Sequence, residues 1–259
     1  MNTSPFIAVN VSDTLRRHQL DSFNALWEVA AELVDEPNHG RGGISSVSRL
    51  TLEDANGRPK VFYLKRQSNY QIRNLRRPFG EPTASREFYN IGRFAERGIP
   101  ALEAAFYGQR KVEGELQAIL LTREVKGYLP LDDWFSRWDQ LSFRLQRDLI
   151  TAAASLVATL REQGVVHNCL YPKHLFLRPT EDGVGARFID LEKSRAHLFS
   201  PWGNMRDLDA LNRRSRAPSR TQRLRFLLTY LGKSRVDAEV RYWARRVTRR
   251  TAKKSKRRK

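Results

Sequence analysis

The segment His167-Asn-Cys-Leu-Tyr-Pro-Lys-His174, with Phe188-Ile-Asp-Leu-Glu192 shortly after it, decides how the chain is read. The first of these is a short loop. It leads into a strand, Leu175 to Arg178; Asp182-Gly183 turns the chain, and Phe188-Ile189-Asp190 is the strand back. Upstream, Gln140 to Glu162 places Leu145, Leu149, Ala153, Leu156, Val157 and Leu160 at helical spacing, and Gly164 supplies the stop. Downstream of Asn204 the pattern is helical to the end. Loop and hairpin therefore sit inside a helical region, directly after its longest helix.

The first ~125 residues have a different character, being mostly antiparallel sheet with one helix inserted. Asp21 to Asp35 reads as a helix capped by Asp21, with Leu26, Val29, Ala30 and Leu33 on one side. Asn38 to Gly43 breaks it. Residues 47–52 alternate, Asn56-Gly57 is a strong hairpin signal, and Val61 to Lys65 is the return strand. Pro82 to Arg97 reads as a helix stopped by Gly98. Ala104 to Val112 and Leu116 to Arg123 form a second hairpin around Glu113-Gly114. The division expected is a β-rich lobe over 1–125, a helical lobe over 126–240 and a basic tail over 241–259.

Composition narrows the function classes. The 259 residues carry 47 Lys and Arg against 28 Asp and Glu, a net +19, which points to an anionic partner: nucleic acid, a membrane face or a phosphate-bearing substrate. Eleven of those cations, and no acid, fall between Arg241 and Lys259. The tail reads as a solvated end or as a contact with anionic lipid headgroups; nucleic-acid binding ranks below these, because no zinc spacing or RNA-binding sheet motif accompanies the charge. A single cysteine excludes a disulfide framework and a Cys-rich zinc site. No apolar run of ~18 residues and no secretory leader are seen, so a cytoplasmic protein is expected.

Five features follow one another in order: the Gly42-Gly43 turn, Lys65 at a strand end, Glu87 inside the next helix, the loop from His167 to His174, and Asp190 at the end of a strand. That order resembles the protein-kinase fold, whose catalytic loop reads His-Arg-Asp-Leu-Lys-Pro-Glu-Asn. Laid against it without a gap, this loop matches at His167, Leu170 and Pro172. Asp190-Leu191-Glu192 stands where the metal-binding Asp-Phe-Gly would be. The wording of both segments is similar to the InaA-type bacterial lipopolysaccharide-core (heptose and Kdo) kinase family, which ends the loop in His and uses Asp-Leu. The resemblance covers roughly residues 40 to 215. It implies a bilobal α+β kinase-like fold, with an antiparallel-sheet N-lobe and a mainly helical C-lobe.

The resemblance also implies ATP and Mg²⁺, with a lipopolysaccharide-core sugar as acceptor. Phosphoryl transfer is largely positioning and charge neutralisation. Lys65 would hold the α and β phosphates, with Glu87 aiming its ammonium. Gly42, Gly43 and Glu124, the last at a hinge where backbone groups read adenine, complete the nucleotide set. Asp190 would bind the metal, and His174 would stand at the second metal-side position or against a phosphate. His167 would brace the loop, and Asp207 would support it from a following helix. Arg73, Arg76 and Arg77 read equally as a contact to a phosphorylated substrate or as a solvated loop. The protein is expected to be a monomer, peripheral at most to the inner face of the inner membrane.

One position departs from the kinase pattern. Cys169 stands where a kinase has its catalytic Asp, and no acid lies between His167 and His174. A thiol is a poor hydrogen-bond acceptor. Either the enzyme works without that base, which typically contributes ~10²–10⁴-fold, or the chain is a pseudokinase that binds nucleotide and serves as a scaffold. A basic nucleic-acid binder is the third reading.

Overall fold

A computed structural model describes residues 4–74, 77–197 and 202–256. The chain divides into two compact units, Met1–Arg93 with Leu102–Glu124, and Phe94–Ala101 with Val125–Lys259. In the first unit the elements are β1 (Phe6–Ile7), α1 (Val9–Arg17), α2 (Phe23–Glu28), β2 (Glu32–Leu33), β3 (Asn38–Gly40), β4 (Gly43–Glu53), β5 (Pro59–Ser68), β6 (Gln71–Asn74), β7 (Arg77–Pro82), α3 (Thr83–Glu96), β8 (Ala104–Val112) and β9 (Glu115–Arg123). The main sheet runs β1-β8-β9-β5-β4-β2, with β3 also on β4, and its pairings are antiparallel. Period-two patterning drives it: along β4, Ser48, Leu50 and Leu52 are buried while Arg49, Thr51 and Glu53 are exposed. Leu15 and Leu26 pack from the helices onto a core that includes Phe62, Leu64, Phe106 and Ile119.

Both hairpins turn where the sequence indicates. Glu113 and Gly114 have φ of 50° and 89°, the left-handed pair that a tight two-residue turn requires. At the other, the Asp54 carboxylate accepts from the backbone N–H groups of Asn56 and Arg58.

The N-terminal stretch differs from its reading. The helix expected over Asp21–Asp35 lasts only from Phe23 to Glu28, and its cap is Ser22, whose hydroxyl accepts from Ala25 N. The Arg66 guanidinium explains the early end: it bonds the carbonyls of Leu26 and Val29, acceptors a continuing helix would use itself. Glu32 and Leu33 then pair with β4, which leaves Leu33 exposed. Residues 38–43 are a tight hairpin instead of a simple break, turning on Arg41 and Gly42 at φ of 54° and 81°. Helix α1 was not anticipated, because only Val11 and Leu15 in its nine residues bury apolar side chains.

The second unit contains β10 (Leu129–Pro130), α4 (Leu131–Ser136), α5 (Phe143–Glu162), β11 (Val165–Val166), β12 (Leu175–Thr180), β13 (Gly183–Phe188), β14 (Arg195–Ala196), α6 (Trp202–Arg214), α7 (Arg220–Leu231) and α8 (Ala238–Lys256). Helix α5 starts three residues later than expected, because Ser142 is its cap. It buries Leu149, Ala153, Leu156, Val157 and Leu160 along one face. Strands β10, β12 and β13 form a small antiparallel sheet.

Residues 241–256, read as a tail, are most of α8, which Asp237 caps through Val240 N. Its anchor is Asp209 on α6, whose carboxylate is fully buried. Asp209 accepts from Arg213 at 3.1 Å, Arg250 at 3.2 Å and Thr251 at 3.1 Å, with Lys254 at 3.5 Å. Removing one partner of a buried pair costs about 3–5 kcal/mol. Arg250 and Lys254 are 32% and 45% exposed, so screening lowers the figure. Asp209→Ala is expected to cost about 2–3 kcal/mol in urea denaturation; a loss below about 0.5 kcal/mol, the ordinary range for surface changes, would show that the cluster does not hold α8 in place.

Candidate active site

In the first unit the site rests on β5. Lys65 lies mid-strand between Val47 of β4 and Leu120 of β9, so its backbone is fixed on both sides. Its ammonium donates to Glu87 Oε2 on α3, and Glu87 is only 3% exposed. Two residues along the same face of β5, buried Gln67 clamps the start of that helix. Its amide donates to Thr83 Oγ1 at 2.7 Å, and its carbonyl accepts from Ala84 N at 2.9 Å. One turn further along α3 comes Glu87. A strand residue thus fixes the register of the helix that aims the lysine's partner. The sequence reading missed Gln67; its spacing of two from Lys65 was the available signal.

Gly43 approaches the chain's own backbone. A Cβ there would lie 2.1 Å from Ser68 O and 2.3 Å from Asn69 C, so only glycine fits. At Gly42 a Cβ would meet nothing, but its φ of 81° favours glycine. The Glu124 backbone N–H donates to Val61 O at 2.9 Å, within the sheet edge. The Arg73, Arg76 and Arg77 cluster lies outside the described residues and side chains.

In the second unit the loop and the end of β13 are tied together. The His167 backbone N–H donates to Asp207 Oδ2 at 2.7 Å, and its ring Nε2 donates to Ile189 O at 3.0 Å. Ile189 N–H donates to His174 O at 3.1 Å. His167 is fully buried, and burial pushes its pKa down to about 4, with His174 adding to the effect and Asp190 opposing it. It is therefore neutral at neutral pH. Asp207 moves the other way: burial raises its carboxyl to about 7, against the donors of His167 and Asn168.

These two groups oppose one another on acidification. His167 binds its proton less readily in the folded chain, so it contributes stability above pH 6.5 that is lost as the pH falls towards about 4. Asp207 binds its proton more readily folded, so its contribution is full below pH 3.8 and is lost as the pH rises through about 7. Between pH 6.5 and 4.5 the two offset. Asp207→Asn is expected to make the urea midpoint fall more steeply with acidification than in the wild type, by about one proton per molecule. An unchanged slope would exclude the raised Asp207.

Asp190 follows β13 with φ of 57°, a left-handed conformation that Asp and Asn tolerate better than other non-glycine residues. Its Oδ2 is 3.2 Å from His174 Nε2. His174 Nδ1 donates to the Cys169 carbonyl at 2.7 Å, which leaves a lone pair on Nε2 of the neutral ring. Burial holds the His174 pKa below its ordinary value, against Asp190 and the Cys169 carbonyl. Two acceptors therefore face each other, an arrangement that a shared cation stabilises. The Asp190 carboxylate suits a divalent ion that takes its remaining ligands from phosphate and water, as Mg²⁺ commonly does, while the imidazole is a donor that softer metals favour. No group of three or more metal-binding side chains occurs among the described residues.

Cys169 is buried, and the Lys193 ammonium interacts electrostatically with its side chain. Partial burial pulls the Lys193 ammonium down, but Cys169, Glu192 and Asp190 outweigh it and leave it above its ordinary value. Asn168 Nδ2 bonds the Lys193 carbonyl at 2.9 Å and holds that turn to the loop. Lys193 was also missed; only its closeness in sequence to Asp190 pointed to it. A separate apolar cavity of about 720 Å³ among α5, α6, α7 and α8 includes neither the loop nor Asp190.

The description "Lipopolysaccharide kinase (Kdo/WaaP) family" matches residues 24–230. The chain belongs to this family. Protein InaA of Escherichia coli is 32% identical over 180 residues, 69% of this chain and 81% of that one. The lipopolysaccharide core heptose(I) kinase WaaP of Pseudomonas aeruginosa is 31% identical over 159 residues, covering 57% of this chain and 59% of its own. A solved structure titled WaaP in complex with acyl carrier protein aligns with a TM-score of 0.67 at 20% identity, over 96% of this chain and 99% of that chain. The fold of this Kdo/WaaP family member is accordingly the bilobal kinase-like one, with an antiparallel-sheet N-terminal lobe and a mainly helical C-terminal lobe.

Proposed function

We propose that this chain transfers the γ-phosphoryl group of ATP to a hydroxyl of a lipopolysaccharide-core sugar, at the cytoplasmic face of the membrane. The observation that carries the reading is the Lys65–Glu87 pair, a strand lysine held by a buried helix carboxylate in a member of a lipopolysaccharide kinase family. Lys65 binds and orients the α and β phosphates. Asp190 and His174 would hold Mg²⁺, which neutralises phosphate charge when bound. His167 keeps the loop in register through Ile189 and Asp207. Among the described residues no helix is long and apolar enough to cross a membrane.

A second reading rests on Cys169. With no acid in the loop and a buried thiol in the place of the base, a nucleotide-binding pseudokinase is the alternative. Calorimetric titration with ATP, with and without Mg²⁺, comes first. Mg²⁺-dependent binding that Asp190→Ala loses is the expected result. Absence of binding to the folded wild type would overturn both readings. Phosphate transfer to isolated core oligosaccharide then separates kinase from pseudokinase.

A further inference from the structure

Helix α8 sorts its basic residues into two sets. Arg250 and Lys254 turn onto Asp209, and Val240 and Trp243 are buried on that same side. Arg241, Arg245, Arg249 and Lys253 recur every four residues on the other side, and all four are exposed. At 1.5 Å per residue the row is about 18 Å long. Tyr242, 51% exposed, lies beside it, with the Arg246 guanidinium 5.4 Å from its ring. Glu239 is the one acid in α8, and it is paired with Lys233 at 2.9 Å.

We propose that this row is the surface by which the protein docks on an anionic phospholipid bilayer. The Asp209 cluster decides the geometry. It fixes the rotation of α8, so the outward cations lie on a folded support and wind about 120° round the exposed side of the helix, and a planar array of headgroups is a surface broad enough to meet all four. An exposed tyrosine within a cationic row suits the boundary between water and lipid, where its polar tip and apolar ring are both accommodated. The inference takes from the proposed function only that the acceptor lies in a membrane. Binding is measured without nucleotide, so failure of either leaves the other standing.

The test is sedimentation of the full chain with vesicles of phosphatidylglycerol and phosphatidylethanolamine, against vesicles of phosphatidylcholine. The wild type is expected to bind the anionic vesicles only, and to release them at about 1 M salt, where the screening length falls to about 3 Å. Each basic residue at such a surface multiplies partitioning about fivefold. Changing Arg241, Arg245, Arg249 and Lys253 together to Gln should lower binding by about 10²-fold or more, with the urea midpoint unchanged. The matched variant, with Arg17, Lys111, Arg144 and Arg225 changed to Gln, removes the same charge from other exposed positions. It should bind within a few-fold of the wild type. Equal losses in the two variants, binding to phosphatidylcholine, or displacement from vesicles by nonspecific duplex DNA at equal phosphate concentration would each overturn the proposal.

Discussion

Lys65→Met is expected to lower phosphoryl transfer from ATP by about 10²–10³-fold, the usual cost of removing one preorganised charge from a transition state. The substitution also leaves Glu87 buried without its ammonium. An uncompensated buried carboxylate costs on the order of 3–5 kcal/mol, so this variant loses stability and activity together. Lys65→Met combined with Glu87→Gln separates the two effects. The amide carries no charge, so most of the stability returns, whereas activity stays low because nothing holds the phosphates. Urea denaturation and transfer of labelled γ-phosphate to core oligosaccharide measure the two quantities. Recovery of activity in the double variant would show that Lys65 acts only as a structural partner of Glu87.

The residues of that pair were legible in the sequence because both lie inside regular elements. Lys65 ends a β-branched and aromatic run, and Glu87 falls inside a helix bounded by Thr83 and Gly98. The β8–β9 hairpin was equally clear, since Glu113-Gly114 leaves one turn type open. What escaped depends on contacts distant in sequence. Helix α2 stops where Arg66, 40 residues on, bonds Leu26 O. The basic end is helical and packed because Asp209, 41 residues before Arg250, gathers its cations, and a run of like charge carries no sign of that partner. Gln67 and Lys193 act through contacts that appear only after folding: one fixes a helix start, the other meets the thiol of a loop from elsewhere in its unit.

The second large effect concerns that thiol. Cys169→Asp is expected to raise the turnover of phosphoryl transfer by about 10²-fold, the lower end of the range for a positioned base. The lower end applies because the transition state is loose and takes little of the acceptor's proton early. The loop accommodates the change. The backbone carbonyl that holds His174 is kept, and Lys193, whose ammonium already interacts electrostatically with the side chain at this position, supplies the partner that a buried carboxylate requires. ATP affinity should stay within a few-fold, since residue 169 faces the acceptor hydroxyl in this reading and not the adenine or the α and β phosphates. Cys169→Ser is the control: it is similar in size, contributes no base and should match the wild type. A gain in Cys169→Asp alone shows a kinase working without its base. No transfer by either chain, with ATP binding intact in both, gives the pseudokinase reading. Loss of transfer in both Cys169→Asp and Cys169→Ser would mean that the thiol itself, beside Lys193, takes part in the reaction.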